Sequence, residues 1–483
     1  MVKSEKIRYN NKRGKHMRMN DIGVIGMAVM GKNLALNFAD QGFDVAIYNR
    51  TTSVAREVIL ENPNQNLDMH ETLESFVKSL KTPRKLLIMV QAGSAVDKVI
   101  ESVRPFLEKG DIVMDGGNSF YLDTQKRYQT LKPLGFHFLG VGVSGGEEGA
   151  RFGPAIMPSG DKEAYDQVQP YLDKIAAKAY EEACAAYVGQ DGSGHFVKMV
   201  HNGIEYGDMQ LIAEAYSVLK EGFNTPIPKI QSIFETWNKH DLSSYLIEIT
   251  AQILSVKDKH SDHFLVEMIE DVAHQKGTGK WTANASLEFN VDSSVLTSAV
   301  FARFMSEIKD KRLMASKRFP KVKTEELILS EAWILKLEKA LYVAKLMSYA
   351  QGFELLSNAN ERYHWNLNFG SIAKGWRAGC IIRAQFLNKI ANAYEVHPEL
   401  EHLLFDEYFA SIVHTHIQDL RDVVSLAAQH GFALPTFMNA LAYFDGLTTA
   451  YSSANLIQAQ RDFFGAHTFK RLDQEGSFHD EWK

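Results

Sequence analysis

The segment 195–211, HFVKMVHNGIEYGDMQL, carries a set of polar side chains at helical spacing. If it is helical, Lys198, His201, Asn202, Glu205 and Tyr206 fall at i, i+3, i+4, i+7 and i+8 and share one face over two turns. Lysine, histidine and glutamate are side chains that take up and release protons. On an otherwise apolar helix they are costly to bury unless they bind something. The alternative is a buried Lys–Glu pair with a structural role.

A second constellation lies near the start of the chain. Gly26-Met27-Ala28-Val29-Met30-Gly31 follows a short apolar run and opens a helical pattern. Small residues at its three key positions let the backbone turn tightly and approach a pyrophosphate, and the helix N-terminus supplies free N–H groups. The pattern is GxAxxG, so alanine replaces the middle glycine of the usual fingerprint; an ordinary tight turn is the plainer reading. The second strand ends in Asn49-Arg50-Thr51, where an NAD site would carry a carboxylate. Arg50 can pair with a 2′-phosphate and stack on adenine, and Asn49 and Thr51 can donate hydrogen bonds, which favours NADP. Read without that context, Arg50 is a solvated loop arginine.

Other Gly-rich segments sit where ligands are expected. Val90-Gln91-Ala92-Gly93 and Asp115-Gly116-Gly117-Asn118-Ser119 put small residues and amides at strand ends, within reach of a nicotinamide, although such ends are common turns. In the segment 140–149, Ser144 and the amides after it can bond a carboxylate or hydroxyl; a surface loop is the alternative. Gln275-Lys276-Gly277-Thr278-Gly279-Lys280-Trp281 reads as a basic Gly-rich loop contacting phosphate or carboxylate. It lacks the spacing of an ATPase P-loop. His414 and His416 are two apart and face different ways on a helix, and no zinc spacing is present, so no metal site is expected.

The elements that position these residues follow from apolar patterning. Runs at Asp21–Gly26, Asp44–Tyr48, Lys85–Val90, Asp111–Asp115 and His137–Val143 alternate with helical segments such as Lys32–Gln41, which Gly42 stops. This is the pattern of right-handed crossovers and a mostly parallel sheet, with function at the strands' carboxyl ends. After about Gly192, helical spacing dominates, as in Phe196–Glu221, Glu331–Phe353 and Ser371–Tyr394. The reading is therefore an α/β Rossmann-like N-terminal domain (19–191), a large all-α domain (192–449) and a polar C-terminal tail (450–483) that needs another surface to order it. Residues 1–18 are basic, without the apolar core of a signal peptide, and are expected to be disordered.

With 483 residues, 45% of them hydrophobic, the chain has ample material for a large core. A net charge of −6 argues against nucleic acid as a partner, so bound anions must meet local positive groups. There is no apolar run long enough for a membrane span. Two cysteines, Cys184 and Cys380, argue against a disulfide framework or a cysteine-rich metal site and suit the cytoplasm.

The motifs GMAVMGKNLALN, YNRT, DGGNSF, GVSGGEEGA, KMVHNGIEYGDMQL, QKGTGKWT and RDFFGAHTF occur in the order found in 6-phosphogluconate dehydrogenases, which the chain resembles from about Met19 onward. The resemblance implies oxidative decarboxylation of 6-phospho-D-gluconate to D-ribulose 5-phosphate and CO2 with NADP+ as oxidant, the oxidative branch of the pentose phosphate pathway. It implies Lys198 as general base and Glu205 as general acid. It places Asn118, Ser144, Gly145, Gly146, His201 and Asn202 along the sugar acid. Tyr206, Lys276, Arg303, Arg461 and His467 would complete the substrate site around its phosphate. Met27–Gly31, Asn49–Thr51 and Val90–Ala92 match NADP contacts, and Gly26 and Asn118 belong to the same set. The family also implies a homodimer in which the tail, with Arg461 and His467, reaches the neighbouring subunit's site.

Two features depart from the family pattern. Gln91 stands where many members carry lysine, and the basic extension precedes the usual start. Two other readings compete: a β-hydroxyacid dehydrogenase that does not decarboxylate, which would need neither Glu205 nor a phosphate site, and a non-catalytic NADP-binding sensor, for which loss of Lys198 or Glu205 would have argued.

Overall fold

The protein is described by a computed structural model covering residues 19–63, 65–275, 277–321 and 326–482; the basic extension 1–18 lies outside the described residues. Seven strands form one sheet: β1 (Ile22–Ile25), β2 (Val45–Tyr48), β3 (Leu67–Met69), β4 (Lys85–Ile88), β5 (Ile112–Asp115), β6 (His137–Ser144) and β7 (Ala155–Gly160). Their order is β3-β2-β1-β4-β5-β6-β7. All neighbours run parallel except β7, which pairs antiparallel with β6.

β1, β4 and β5 are apolar at almost every position and buried throughout, as strands covered on both faces must be. Two strands escape the apolar pattern. β3 has only three residues with Asp68 at its centre, and β7 contains Pro158, which an edge strand tolerates. From β1 the chain crosses to β2 on one side and returns to β4 on the other. That reversal opens a crevice at the carboxyl ends of β1 and β4.

After β7 a short antiparallel pair, Lys178–Ala179 with Glu182–Ala183, leads into a mainly helical part centred on the 25-residue helix Ser193–Ser217, which is buried nearly all round. One side of this helix lies on β6 and β7; the other meets the helices Thr278–Phe289, Ser294–Glu307 and Glu331–Tyr363. The close approach to the sheet depends on Gly142 in β6. A Cβ there would stand 2.6 Å from the Cβ of Lys198, nearer than packed carbons come. Deeper in the helical part, Lys345 and Asp208 form an ion pair at 2.7 Å with both side chains essentially fully buried.

Several helices differ from the sequence reading. The run expected as one helix over Ser371–Tyr394 is two, Phe369–Gly375 and Leu387–Val396, separated by irregular backbone in which Gly379 takes a φ of +69°. Phe196–Glu221 is the Ser193–Ser217 helix followed by a π-helical turn, Val218–Gly222. The Gly-rich basic loop ends early: Gly277 caps a helix beginning at Thr278, so Gly279, Lys280 and Trp281 are helical. The tail, too, is structured. Its helix Ala454–Gly465 is followed by a segment that folds back so that Asp462 accepts hydrogen bonds from the Thr468 and Asp480 N–H groups, His479 Nδ1 and Trp482 Nε1.

Candidate active site

The first turn after β1 is built by steric necessity. Gly26 has a φ of +99°, and a Cβ on Gly31 would sit 1.8 Å from the Gly26 carbonyl oxygen, so only glycine closes this turn. Ala28 caps the helix Val29–Asp40 and brings no side-chain oxygen to its N–H groups. Those groups and the positive end of the helix dipole suit an anion. Asn49 joins the end of β2 to this turn: its Oδ1 accepts from the Met27 N–H at 3.0 Å, and its Nδ2 donates to the Thr51 carbonyl at 2.9 Å. Asn49 thereby ties the end of β2 to the glycine turn, and it also lines the cleft that opens beside that turn. Arg50 and Thr51 are exposed beside it.

A cleft of about 870 Å³ runs from this turn to the helix Ser193–Ser217. It is lined by Gly26 and Ala28–Gly31, then by Met89–Ala92 and Gly116–Asn118 from the ends of β4 and β5. Its far end is closed by Val143–Gly146, Lys198, Asn202, Glu205 and Ile381. The two constellations read separately from the sequence thus face one another across one space. Its length, its glycine turn and its uncapped helix end fit a dinucleotide with a second ligand beyond it.

At the far end the polar stripe is drawn together. Lys198 Nζ donates to Asn202 Oδ1 at 2.8 Å and lies 3.4 Å from His201 Nδ1. Ser144 Oγ lies 3.3 Å from His201 Nε2, and Glu205 Oε2 lies 3.9 Å from His201 Nδ1. The His201 ring meets Trp376 edge-on with centroids 5.6 Å apart. Lys198, His201 and Asn202 are buried, while Glu205 keeps part of its surface open to the cleft.

Burial sets the protonation states. Desolvation pulls the Lys198 ammonium below its ordinary value, and the Glu205 carboxylate pulls it back only in part. Desolvation is the only influence that lowers Lys198. The nearby Cys380 thiol, itself pushed up to about 12 by burial, is neutral near pH 7 and exerts no charge. Burial raises the Glu205 carboxyl, with Lys198 and Arg303 opposing. His201 lies well below its usual value, through burial first and Lys198 second, and is neutral. The arrangement holds an amine poised to accept a proton and a carboxyl poised to give one.

The remaining sequence candidates fall at different distances from this cluster. Tyr206 follows Glu205 on the helix and carries the Arg303 guanidinium 3.6 Å above its ring centre. Arg303 also donates to the His274 carbonyl, so its charge stands beside Glu205 with no carboxylate partner among the described residues. Lys276 lies outside the described residues. Arg461 and His467 are exposed on the tail, which contributes nothing to the lining of the cleft within one chain. Two lining residues were not singled out in the sequence. Met89 continues an apolar strand and gives no polar signal. Ile381 lies in the irregular backbone that apolar spacing had read as helix; Gly375 and Gly379 were the available warning.

Comparison with known proteins gives this geometry its context. The signature of the NAD binding domain of 6-phosphogluconate dehydrogenase matches residues 21–189, and that of the 6-phosphogluconate dehydrogenase C-terminal domain matches 194–482. The chain belongs to the 6-phosphogluconate dehydrogenase family. A decarboxylating 6-phosphogluconate dehydrogenase of Escherichia coli strain K12 is 53% identical over 467 residues, covering 96% of this chain and 100% of that one. The NADP(+)-dependent decarboxylating enzyme of Bacillus subtilis strain 168 is 52% identical over 470 residues, with the same coverage. Among solved structures, the Plasmodium falciparum 6-phosphogluconate dehydrogenase, described with its cofactor NADP+ and with its substrate 6-phosphogluconate, superposes with a TM-score of 0.93. It is 42% identical and covers 96% of this chain and 100% of its own. The fold of this family is the one observed here, a parallel-sheet domain followed by helices. No helix among the described residues is long and apolar enough to cross a membrane.

Proposed function

We propose that this chain catalyses the NADP-dependent oxidative decarboxylation of 6-phospho-D-gluconate to D-ribulose 5-phosphate and CO2. The observation that carries the reading is the buried Lys198 amine, bonded to Asn202 and not neutralised by a carboxylate, in the same cleft as the glycine turn. Full-length relatives that carry this activity by name support it.

NADP+ would be held by Gly26–Gly31, with Arg50 available to its 2′-phosphate and Val90–Ala92 and Asn118 to its nicotinamide half. When bound, NADP+ takes up the hydride that carbon 3 of the substrate releases. Lys198 enters neutral and removes the proton of the carbon-3 hydroxyl. The resulting 3-keto acid can lose its carboxylate because the ketone accepts the electron pair. Lys198, now an ammonium, faces the developing enolate oxygen and stabilises it. Glu205, whose carboxyl burial raises, delivers a proton to carbon 1 of the enediol. The two groups lie about two turns apart on one helix, roughly 10–11 Å along its axis, and must converge from opposite ends on one sugar.

Ser144, Gly145, Gly146, His201 and Asn202 orient the sugar acid. Tyr206, Arg303 and Lys276 meet its phosphate, joined by Arg461 and His467 from a second copy of the chain. In this reading residues 19–191 form the cofactor domain, 192–449 the substrate and dimer domain, and 450–483 the arm that reaches the partner in a cytoplasmic homodimer.

Lys198→Met tests the assignment. The variant should lose both NADPH formation and CO2 release while binding NADP+ with nearly unchanged affinity. Normal turnover would remove Lys198 from the chemistry.

A further inference from the structure

Behind the cleft, and not lining it, a buried arginine holds together the two loops between which the proposed nicotinamide site lies. Arg127 belongs to the helix Tyr121–Leu131, and its side chain is 5% exposed. Each edge of its guanidinium is engaged. Nε donates to Asp97 Oδ1 at 2.7 Å, Nη1 to Asp115 Oδ2 at 3.1 Å, and Nη2 to the Gly93 carbonyl at 3.0 Å. Nη1 also lies 3.4 Å from Ser119 Oγ.

These partners come from both loops. Gly93 closes the turn after β4, has a φ of +86°, and caps the helix Ser94–Val103. Asp115 ends β5, is fully buried, and organises the turn that follows it. One of its oxygens accepts from the Gly117 N–H at 3.1 Å, the other from Ser119 Oγ at 2.6 Å. The cleft wall consists of the residues between these anchors, Met89–Ala92 on one loop and Gly116–Asn118 on the other.

We propose that Arg127 is a positioning residue for the nicotinamide half of the cofactor, fixing the spacing of the 89–93 and 115–119 loops from behind without touching the ligand. The proposal rests on the cofactor reading given above. A planar guanidinium presents five N–H donors at fixed angles, so one rigid group can set the distance between a backbone carbonyl and a buried carboxylate. A lysine supplies the charge that Asp115 needs from a single nitrogen and cannot reach Asp97, Asp115 and Gly93 together. The turn after β1, which receives the adenosine half, makes none of these contacts. Loss of the clamp therefore weakens one half of the dinucleotide site and spares the other.

The experiment is calorimetric titration of wild type, Arg127→Lys and Ser119→Ala with NADP+ and with adenosine 2′,5′-bisphosphate, which occupies only the adenosine half. Arg127→Lys should weaken NADP+ about tenfold, the scale of one lost charge-assisted hydrogen bond, while adenosine bisphosphate binding changes less than about twofold. Ser119→Ala, which keeps the arginine and loosens only the Asp115 turn, should shift NADP+ in the same direction by a smaller factor. Unchanged NADP+ affinity in Arg127→Lys would overturn the proposal. So would equal weakening of both ligands, the mark of general loosening. If wild type binds neither ligand, the cofactor reading itself fails and this proposal with it. Arg50→Ala, expected to weaken both ligands, keeps the two failures distinguishable.

Discussion

Lys198 Nζ donates to Asn202 Oδ1 at 2.8 Å, one helical turn further along Ser193–Ser217. The contact aims the amine without adding a charge. A carboxylate in the same place would favour the ammonium form. The working form of the base is neutral, so activity rises as pH passes upward through the Lys198 pKa, which burial has lowered. Asn202→Asp should move this ascending limb of kcat/KM to higher pH. Asn202→Ala should reduce kcat without moving the limb upward. An ascending limb that stays put in Asn202→Asp would show that Lys198 does not govern it.

The descending limb belongs to the other end of the stripe. Burial raises Glu205, and its protonated form is the useful one. Activity must then fall as pH rises through that raised value, giving a bell-shaped profile whose limbs describe the coupled set and not either residue alone. In Glu205→Gln the residual activity should keep the ascending limb and lose the descending one. A descending limb that survives would take Glu205 out of the acid role.

Arg50 stands exposed at the end of β2, where a carboxylate would select against a 2′-phosphate. Arg50→Ala should raise the KM for NADP+ about ten- to a hundredfold, the equivalent of roughly 1.5–3 kcal/mol for a charge-assisted contact. Turnover with NAD+ should hardly change. Equal losses with both dinucleotides would mean that Arg50 shapes the loop and does not read the phosphate.

The sequence disclosed most of this site because its signals are local. A glycine turn between strand and helix, an arginine at the next strand end and a stripe at i, i+3, i+4, i+7 and i+8 each sit within one element. What stayed hidden depends on distant pieces. Ile381 reaches the cleft through a break that apolar spacing could not distinguish from helix. Asn49 is claimed by a backbone N–H 22 residues away. Arg127 joins anchors at 93, 97 and 115 that only the folded sheet brings together. β3 and β7 were missed because one is very short and the other carries proline at an edge.

The tail offers a test of the assembly. Leu456, Ile457, Phe463 and Phe464 are exposed on the helix that bears Arg461, an unfavourable surface for an isolated chain. If the tail serves the neighbouring subunit, Lys198→Met and Arg461→Ala chains spoil different sites. Unfolded together and refolded as random dimers, two inactive preparations should recover about a quarter of wild-type activity, because half the dimers carry one intact site of two. No recovery would mean that Arg461 acts within its own chain.

The most direct test of the whole account is a single assay with 6-phosphogluconate and NADP+ in which NADPH absorbance and released CO2 are followed together. The account predicts equal yields of the two products. NADPH without CO2 would contradict it and make the protein a simple hydroxyacid dehydrogenase. Neither product, from folded protein that still binds NADP+, would contradict it in favour of a sensor.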